Sequence, residues 1–434
     1  MHSTFSAKER WWLIAGFALL GFVAYGASLS NIFVVWDDNY TIVFNPIVRS
    51  LSPWGIWRAF TSFDPELYVP LTVISYQFNY ALAGNYPPAF HLVSLLLHIG
   101  NAILVAFLAE KLLERKWIAV ICGIVFLIHP LNVEAVAWAS ARKDVLSTLF
   151  FLLSILFYLR SCSNEKLETK NYTQHRALSL GLLFFLLGLL SKAMVLTLPV
   201  VLLLIDWVRR RPLNRQLFTE KLPYFALSIV FGIIALFGKQ DVTETMTLAQ
   251  KILMAGKSTV FALEKFFVPA KLSVLYPHPG TIDASPDFLI PMSIVAILLC
   301  IAIAHIRQTR WTFFGIAFFL VTIFPTFFNF TKGGEIYVFS DRYAYVPMIG
   351  LLLLIGRAAV SVVEFPGRKQ TKRAAQQAVF AGAGVLGMFF LFATMTQAKT
   401  WKNTESLFLH TLKHYPDAIA ANLTVHAIDR PMHQ

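Results

Sequence analysis

The chain has 434 residues, 57% of them hydrophobic and only 14% charged, with a mean hydropathy of +0.62. A soluble domain carries about a quarter charged residues, so this balance excludes an ordinary soluble enzyme and indicates a membrane protein. The formal charge of +13 would suit a nucleic-acid binder, but its distribution excludes that class too, because the basic residues gather in short joints between apolar stretches.

The first apolar stretch, Trp11 to Leu29, follows Lys8 and Arg10 and has no small-residue cleavage site, so it reads as an uncleaved span. Basic joints recur at Lys111/Arg115/Lys116, Arg160 to Arg176, Arg209 to Lys221, Arg307/Arg310 and Arg357 to Arg373. Together with the N-terminus they hold 21 basic and 8 acidic residues, while the rest of the chain holds 16 of each. The positive-inside rule then puts these joints and the N-terminus in the cytoplasm.

Neighbouring joints on one side must be separated by an even number of crossings. The apolar run between Arg176 and Arg209 is too long for one span of ~20 residues, and Ser191-Lys192 is its polar break. It therefore crosses twice, as two short arms with Lys192 sunk below the outer surface. Between Lys116 and Arg160 the same count makes 117–128 and 145–159 the two crossings. The stretch from His129 to Asp144 joins them at membrane depth, where irregular backbone survives only if protein or a water-filled cavity surrounds it. A cavity opening outward is expected.

Eleven spans result: 11–29, 88–109, 117–128, 145–159, 177–190, 193–208, 222–238, 287–305, 311–328, 343–360 and 376–396, with the C-terminus outside. Of two long outer loops, Asn31 to Pro87 has an amphipathic stretch with Trp54, Trp57 and Phe60 suited to the interface. Lys239 to Pro286 has another helical segment, then the turn Tyr276-Pro277-His278-Pro279-Gly280. Cys122, Cys162 and Cys300 fall in spans or a cytoplasmic joint, so no disulfide framework is implied.

Every unusual polar cluster falls on the outer face. Trp36-Asp37-Asp38 puts two carboxylates side by side, so at least one needs a partner or a raised pKa; they suit a general base at a cavity mouth, against a blander reading as an acidic cap. In the segment His129 to Asp144, a helix from Val133 would align Glu134, Trp138 and Arg142 on one face, with Arg142-Lys143-Asp144 closing the loop. Lys192, in an apolar hairpin, should have an anionic partner, since an unpaired charge costs at least ~2.5–3.5 kcal/mol on insertion, against a blander reading as a lysine that snorkels to the surface. Arg342, in Ser340-Asp341-Arg342-Tyr343 and preceded by Lys332-Gly333-Gly334-Glu335, offers a bidentate grip on phosphate or a local pair with Asp341. His91 and His98 lack a nearby carboxylate set, so metal ligation is not expected of them.

Trp36-Asp37-Asp38, His129-Pro130 through Glu134-Ala135-Val136-Ala137-Trp138, Arg142-Lys143-Asp144-Val145-Leu146, Ser191-Lys192 and Asp341-Arg342-Tyr343 resemble the transmembrane and tetratricopeptide-repeat-containing O-mannosyltransferases and their bacterial relatives, within the C-type glycosyltransferase superfamily. The similarity runs from about Val35 to Leu423. It implies an all-α polytopic fold with about 11 transmembrane helices and amphipathic helices in the first outer loop. It also implies a polyprenyl- or dolichyl-phosphate sugar donor, inversion at the anomeric carbon, and catalytic acids at Asp37 and Asp38. Lys192 and Arg342 match positions where the family places basic residues near the donor phosphate. Arg142 and Lys143 are further candidates for that phosphate, with His129, Glu134, Asp144 and Tyr343 in support. Where the family often has Tyr-Arg-Pro-Leu, this chain reads Tyr68-Val69-Pro70-Leu71.

The expected function is transfer of a mannose-like hexose to an acceptor hydroxyl on protein, lipid or glycan, with membrane lipid as the other partner and no nucleic acid. A divalent metal is not expected to be required, although Asp37, Asp38 and Glu134 would suit one if the fold gathered them. Residues 1–398 form the expected catalytic membrane domain, and 399–434 an outer fragment that looks like the start of a tetratricopeptide array. The expected location is a bacterial inner membrane, with the site and C-terminus periplasmic. The competing class is a transporter or flippase, which would be expected to show two related halves with charge near the midplane; no internal duplication is apparent.

Overall fold

The computed structural model describes residues 5–64, 66–162, 170–212, 214–238, 246–278, 280–332, 335–364 and 369–429. Parts of the basic joints 160–176 and 357–373, Gly333-Gly334, Pro279 and the last five residues lie outside this set.

The described chain is helical apart from one two-stranded hairpin. Helix α1 (Ala7–Tyr25) opens on a capping box, Ser6 with Glu9. The loop after it carries α2 (Pro53–Thr61) and α3 (Pro70–Ala83), each started by a proline in its first turn. Then come α4 (Pro87–Leu113), α5 (Lys116–Ile128), the one-and-a-half-turn α6 (Val133–Ala137), α7 (Arg142–Ser161), α8 (Lys170–Ser191) and α9 (Leu198–Val208). Helices α10 (Arg215–Thr219), α11 (Leu222–Phe237), α12 (Leu248–Phe267), α13 (Pro286–Ala304) and α14 (Arg310–Ile323) lead to strands β1 (Thr331–Lys332) and β2 (Glu335–Ile336). The chain ends in α15 (Pro347–Glu364), α16 (Lys369–Thr400), α17 (Thr404–His414) and α18 (Ile419–Asp429).

Nine helical segments among the described residues are long and apolar enough to cross a membrane, and α5 with the 130–137 segment makes a tenth, bent by 52°. The remaining expected span, the sixth in chain order, Ala193–Val208, is helical and apolar but shorter, as the two-arm reading of that run requires. One boundary needs correction. The tenth span does not begin at residue 343: Asp341–Ala344 form a 3-10 turn and the helix starts at Pro347, because proline is favoured in a first turn and unfavourable inside.

The bundle centres on α4, which packs on α1, α5 and α7, while α14 packs on α15. Gly123 lets α5 approach closely: a Cβ there would lie 2.8 Å from the Ala102 carbonyl oxygen, the Ala106 methyl and the Phe17 ring. By contrast, α13 and α16 leave most of their apolar surface outward, including Ile290, Ile297, Phe389 and Phe392, as lipid-facing helices do. The stretch from His129 to Arg142 is buried throughout. Protein therefore encloses this irregular backbone, and the expected outward cavity does not surround it.

Candidate active site

The site is assembled on the turn between α6 and α7. Helix α6 stops at Ala137 because Trp138 is extended (φ −91°, ψ 121°), and Ala139–Ala141 make a 3-10 turn before α7 begins at Arg142. The expected single helix from Val133 is therefore broken, and Glu134, Trp138 and Arg142 do not share a face.

Asp38 ties the loop after α1 to that turn. Its Oδ2 accepts the Val34 N–H (2.9 Å), and its Oδ1 accepts the Ser140 N–H (3.0 Å) and the Ser140 hydroxyl. The Ser140 hydroxyl also meets Thr41 Oγ1 at 2.6 Å. Burial pushes the Asp38 carboxyl up to about 6; the bonds to Ser140 and Val34 oppose this, and the Asp37 charge adds to it. Asp37 beside it is half-buried.

The other charges meet this turn from distant parts of the chain. Glu134 accepts the Arg342 N–H at 3.0 Å through Oε2 and pairs with the Arg342 guanidinium through Oε1. Arg342 also lies over the Trp138 and Tyr343 rings, 5.0 Å from each centroid. Lys192 Nζ is 2.5 Å from Asp144 Oδ1, and 5.7 Å from the Tyr343 ring centroid. Both pairs are nearly excluded from solvent, so removing either member strands a buried charge. Asp341 is not the partner of Arg342: it accepts a 2.7 Å bond from the Tyr276 hydroxyl, and burial holds its carboxyl well above the usual range.

Three candidates have mainly structural contacts. Arg142 donates to the carbonyls of Ser75 (3.2 Å) and Phe90 (2.9 Å) and lies 4.5 Å from the Tyr76 ring centroid. Its guanidinium is thus turned to backbone, away from the Glu134–Arg342 pair. His129 accepts the Leu131 N–H through Nδ1 (3.2 Å), places Nε2 2.9 Å from the Phe266 carbonyl oxygen, and stacks on the Phe266 ring. That pattern requires a neutral ring. The Tyr343 hydroxyl accepts from Asn329 (2.7 Å) and contacts the Tyr337 hydroxyl (3.1 Å). Lys143 is half-exposed at the start of α7 and has no ion pair within 4 Å among the described residues.

Asp37, Asp38 and Glu134 are not gathered as a cation site, and no group of three metal-ligating side chains occurs among the described residues. Glu134 is taken by Arg342, and Asp38 by Ser140 and Val34. His98 instead contacts the Tyr345 hydroxyl (2.6 Å) and the Leu127 carbonyl oxygen (2.9 Å).

Sequence reasoning missed Ser140, Tyr276 and Asp64. Serine and tyrosine carry no charge to draw notice in a loop. Asp64 lies in Asp64-Pro65-Glu66, where an acidic surface turn is the ordinary expectation. Its carboxylate instead accepts from Asn45 Nδ2 (2.9 Å), and burial raises it to about 6 against the pull of the Lys143 charge.

Fold and site together define an integral, multi-pass, all-α membrane protein with buried ion pairs gathered beside the loop that follows its first span. Its sequence is similar to protein O-mannosyl-transferases, which bears out the resemblance drawn from the motifs. The match to Protein O-mannosyl-transferase Tmtc2 of Drosophila melanogaster is 32% identical over 254 residues, covering 56% of this chain and 25% of that protein. The match to human Protein O-mannosyl-transferase TMTC1 is 35% identical over 159 residues, covering 34% of this chain and 18% of that protein. The chain thus spans a quarter or less of the length of these relatives. No protein-family model matches it. Among solved structures, the Archaeoglobus fulgidus oligosaccharyltransferase tethered to an acceptor peptide aligns with a TM-score of 0.47 at 12% identity, over 97% of this chain and 59% of that one. ArnT from Cupriavidus metallidurans bound to undecaprenyl phosphate aligns with a TM-score of 0.40 at 13% identity, over 99% and 82%.

Proposed function

We propose that the chain is a C-type glycosyltransferase that moves a mannose-like hexose from a polyprenyl-phosphate carrier to an acceptor hydroxyl on the outer face of the membrane, with inversion. The reading rests on one observation above the rest. Asp38 of the loop after α1 and the cations Lys192 and Arg342, from two distant stretches, meet the 138–144 turn, which itself carries Lys143. Similarity to proteins named O-mannosyl-transferases favours mannose among hexoses.

In this reading a carboxylate of the first outer loop takes the proton of the acceptor hydroxyl. The acceptor oxygen attacks the anomeric carbon from the face opposite the phosphate, and the carbon–oxygen bond to phosphate breaks. Charge gathers on the departing phosphate, where Lys143, Lys192 and Arg342 stabilise it. Phosphate is itself a competent leaving group, so no separate general acid is needed. Glu134 and Asp144 hold two of the three cations in place before the donor arrives, which lowers the reorganisation the reaction requires. The basic joints face the cytoplasm, and residues 399–429 lie on the outer side with the site.

The purified full chain, in detergent or proteoliposomes, is given labelled polyprenyl-phosphate hexose, and transfer and hydrolysis are followed. Turnover by the wild type and its loss in Asp37→Asn and Asp38→Asn are expected. A wild type that turns over with both variants fully active would remove the mechanism. A wild type that only moves the lipid-linked sugar between leaflets would make the chain a flippase.

A further inference from the structure

We propose that Tyr276 is a positioning residue for the donor phosphate: its hydroxyl holds the Asp341 carboxyl and so keeps that acid off the neighbouring Arg342 guanidinium. The proposal rests on the glycosyltransferase reading, in which Arg342 meets the phosphate, and deepens it by naming what keeps that cation open.

Arg342 carries a rival to the phosphate in its own turn. Asp341 directly precedes it, and both lie in the 3-10 turn Asp341–Ala344, at 3% and 7% exposure. A carboxylate paired two-pronged with a guanidinium uses the same N–H fork that grips a phosphate. Two contacts decide the competition. Glu134 engages the Arg342 backbone N–H and Nη1, and among the described residues no other acceptor takes the remaining guanidinium donors. Asp341 Oδ1 accepts the Tyr276 hydroxyl at 2.7 Å instead.

The Tyr276 hydroxyl is aimed by contacts on every part of the residue. Its oxygen accepts the Ser273 N–H (3.0 Å), which leaves its own proton for Asp341. Its carbonyl accepts the Val338 N–H, and the His278 N–H donates to the Ile336 carbonyl, both at 2.9 Å. These bonds stitch the loop to the segment that leads into the Arg342 turn. The ring meets Phe261 and Tyr415 edge-on, with centroids 4.7 and 5.2 Å away. Ser273 is tied in turn to α17, its hydroxyl donating to Thr411 Oγ1 at 3.1 Å.

Tyr276 is 1% exposed, so water is a poor substitute for its hydroxyl. A buried carboxyl deprived of that donor gains most by turning to a cation, and Arg342 is one residue away. Lys265 is already engaged: its ammonium donates to the Ala270 carbonyl (3.0 Å) and pairs with Glu264 (3.3 Å). Asp341 set against Arg342 would both occupy the phosphate contact and repel the phosphate charge.

The test measures binding of polyprenyl phosphate alone to the purified full chain, with transfer from labelled polyprenyl-phosphate hexose and melting temperature in parallel. Tyr276→Phe should weaken phosphate binding by about 10-fold or more and lower kcat/KM for the donor. Adding Asp341→Asn should restore most of that affinity, because the amide carries no charge to hold the guanidinium. Melting temperature should stay lowered in the double variant, since the Ser273 N–H lacks its acceptor there too. Asp341→Asn with Tyr276 intact should bind at least as tightly as the wild type. A Tyr276→Phe protein that binds as tightly as wild type would overturn the proposal alone. So would a double variant no tighter than Tyr276→Phe, which would make the hydroxyl a brace for the loop only, or Asp341→Asn binding weakly by itself. Wild-type protein that neither binds polyprenyl phosphate nor transfers sugar would overturn the glycosyltransferase reading, and this proposal with it.

Discussion

Asp38 is a nearly inaccessible carboxylate that must still be held at a fixed place, and its titration should be visible in stability. Burial raises it to about 6 from an ordinary 3.8. A folded state that binds a proton more tightly than the unfolded chain loses stability as pH climbs from about 4 to about 6, and no further above that. The melting temperature in detergent micelles should fall across this window and level off, with a shallower fall in Asp38→Asn. An unchanged slope in that variant would show that Asp38 titrates normally. The Glu134–Arg342 pair supplies a second prediction. Glu134→Ala strands the Arg342 guanidinium in a site 7% exposed and should cost about 3–5 kcal/mol. Removing both members should cost less than removing Glu134 alone, and a double-mutant cycle in chemical unfolding would expose the coupling. Charged residues could be picked out as candidates from the sequence, since each is expensive at membrane depth. Their partners could not. From the sequence, Arg342 offers a grip on phosphate or a pair with the adjacent Asp341; its partner is the remote Glu134, and only the 3-10 turn at 341–344 decides this, presenting the Arg342 N–H and guanidinium together to one carboxylate.

At the scale of elements, the decisive feature is the break between α6 and α7. A continuous helix would have carried Arg142 round with Glu134; the extended Trp138 instead turns Ser140 towards Asp38 and Arg142 towards the carbonyls of α3 and α4. Trp138 is held there by Trp401, the two rings stacked with centroids 5.6 Å apart. The C-terminal helices therefore brace the site: Thr404 accepts the Val35 N–H at 2.9 Å, and Phe408 packs edge-on against Trp36. Trp401→Ala should cost about 3–5 kcal/mol and make the 398–404 junction cleavable by protease at a concentration that spares the wild type. A tail as resistant as before would mean the docking does not depend on that stack. Close packing of α4 and α5 makes a further prediction. Gly123→Val, with three atoms inside contact distance of its Cβ, should lower the melting temperature in micelles, whereas Gly16→Val, with open space around it, should leave it unchanged.

At the scale of the whole molecule, the division of charge predicts topology. Single cysteines placed at Arg209 and at Ser285, in a background without Cys122, Cys162 and Cys300, should react with a membrane-impermeant thiol reagent from opposite sides of sealed vesicles. Labelling from the same side would break the even-crossing count on which the outer position of the site depends. The same geometry explains why the short arms around Lys192 are tolerated: Ser191 is capped by Thr72 of α3 through its carbonyl (2.9 Å), and Lys192 by Asp144, so the sunken turn has protein partners in place of water.

The sequence by itself determined the helical class, the number and approximate position of the apolar segments, and which loops concentrate charge. These follow from local rules: an apolar segment must satisfy its own backbone in lipid, and a charge there must be justified by a partner. The tertiary structure decided which partner each charge takes, where the helix at Val133 breaks, and that Ser140 bonds Asp38 while Tyr276 bonds Asp341. Those outcomes rest on contacts between residues tens to hundreds of positions apart, such as Asp38 with Ser140 and Glu134 with Arg342. Their choice depends on the packing of the whole bundle, which no local pattern of residues encodes.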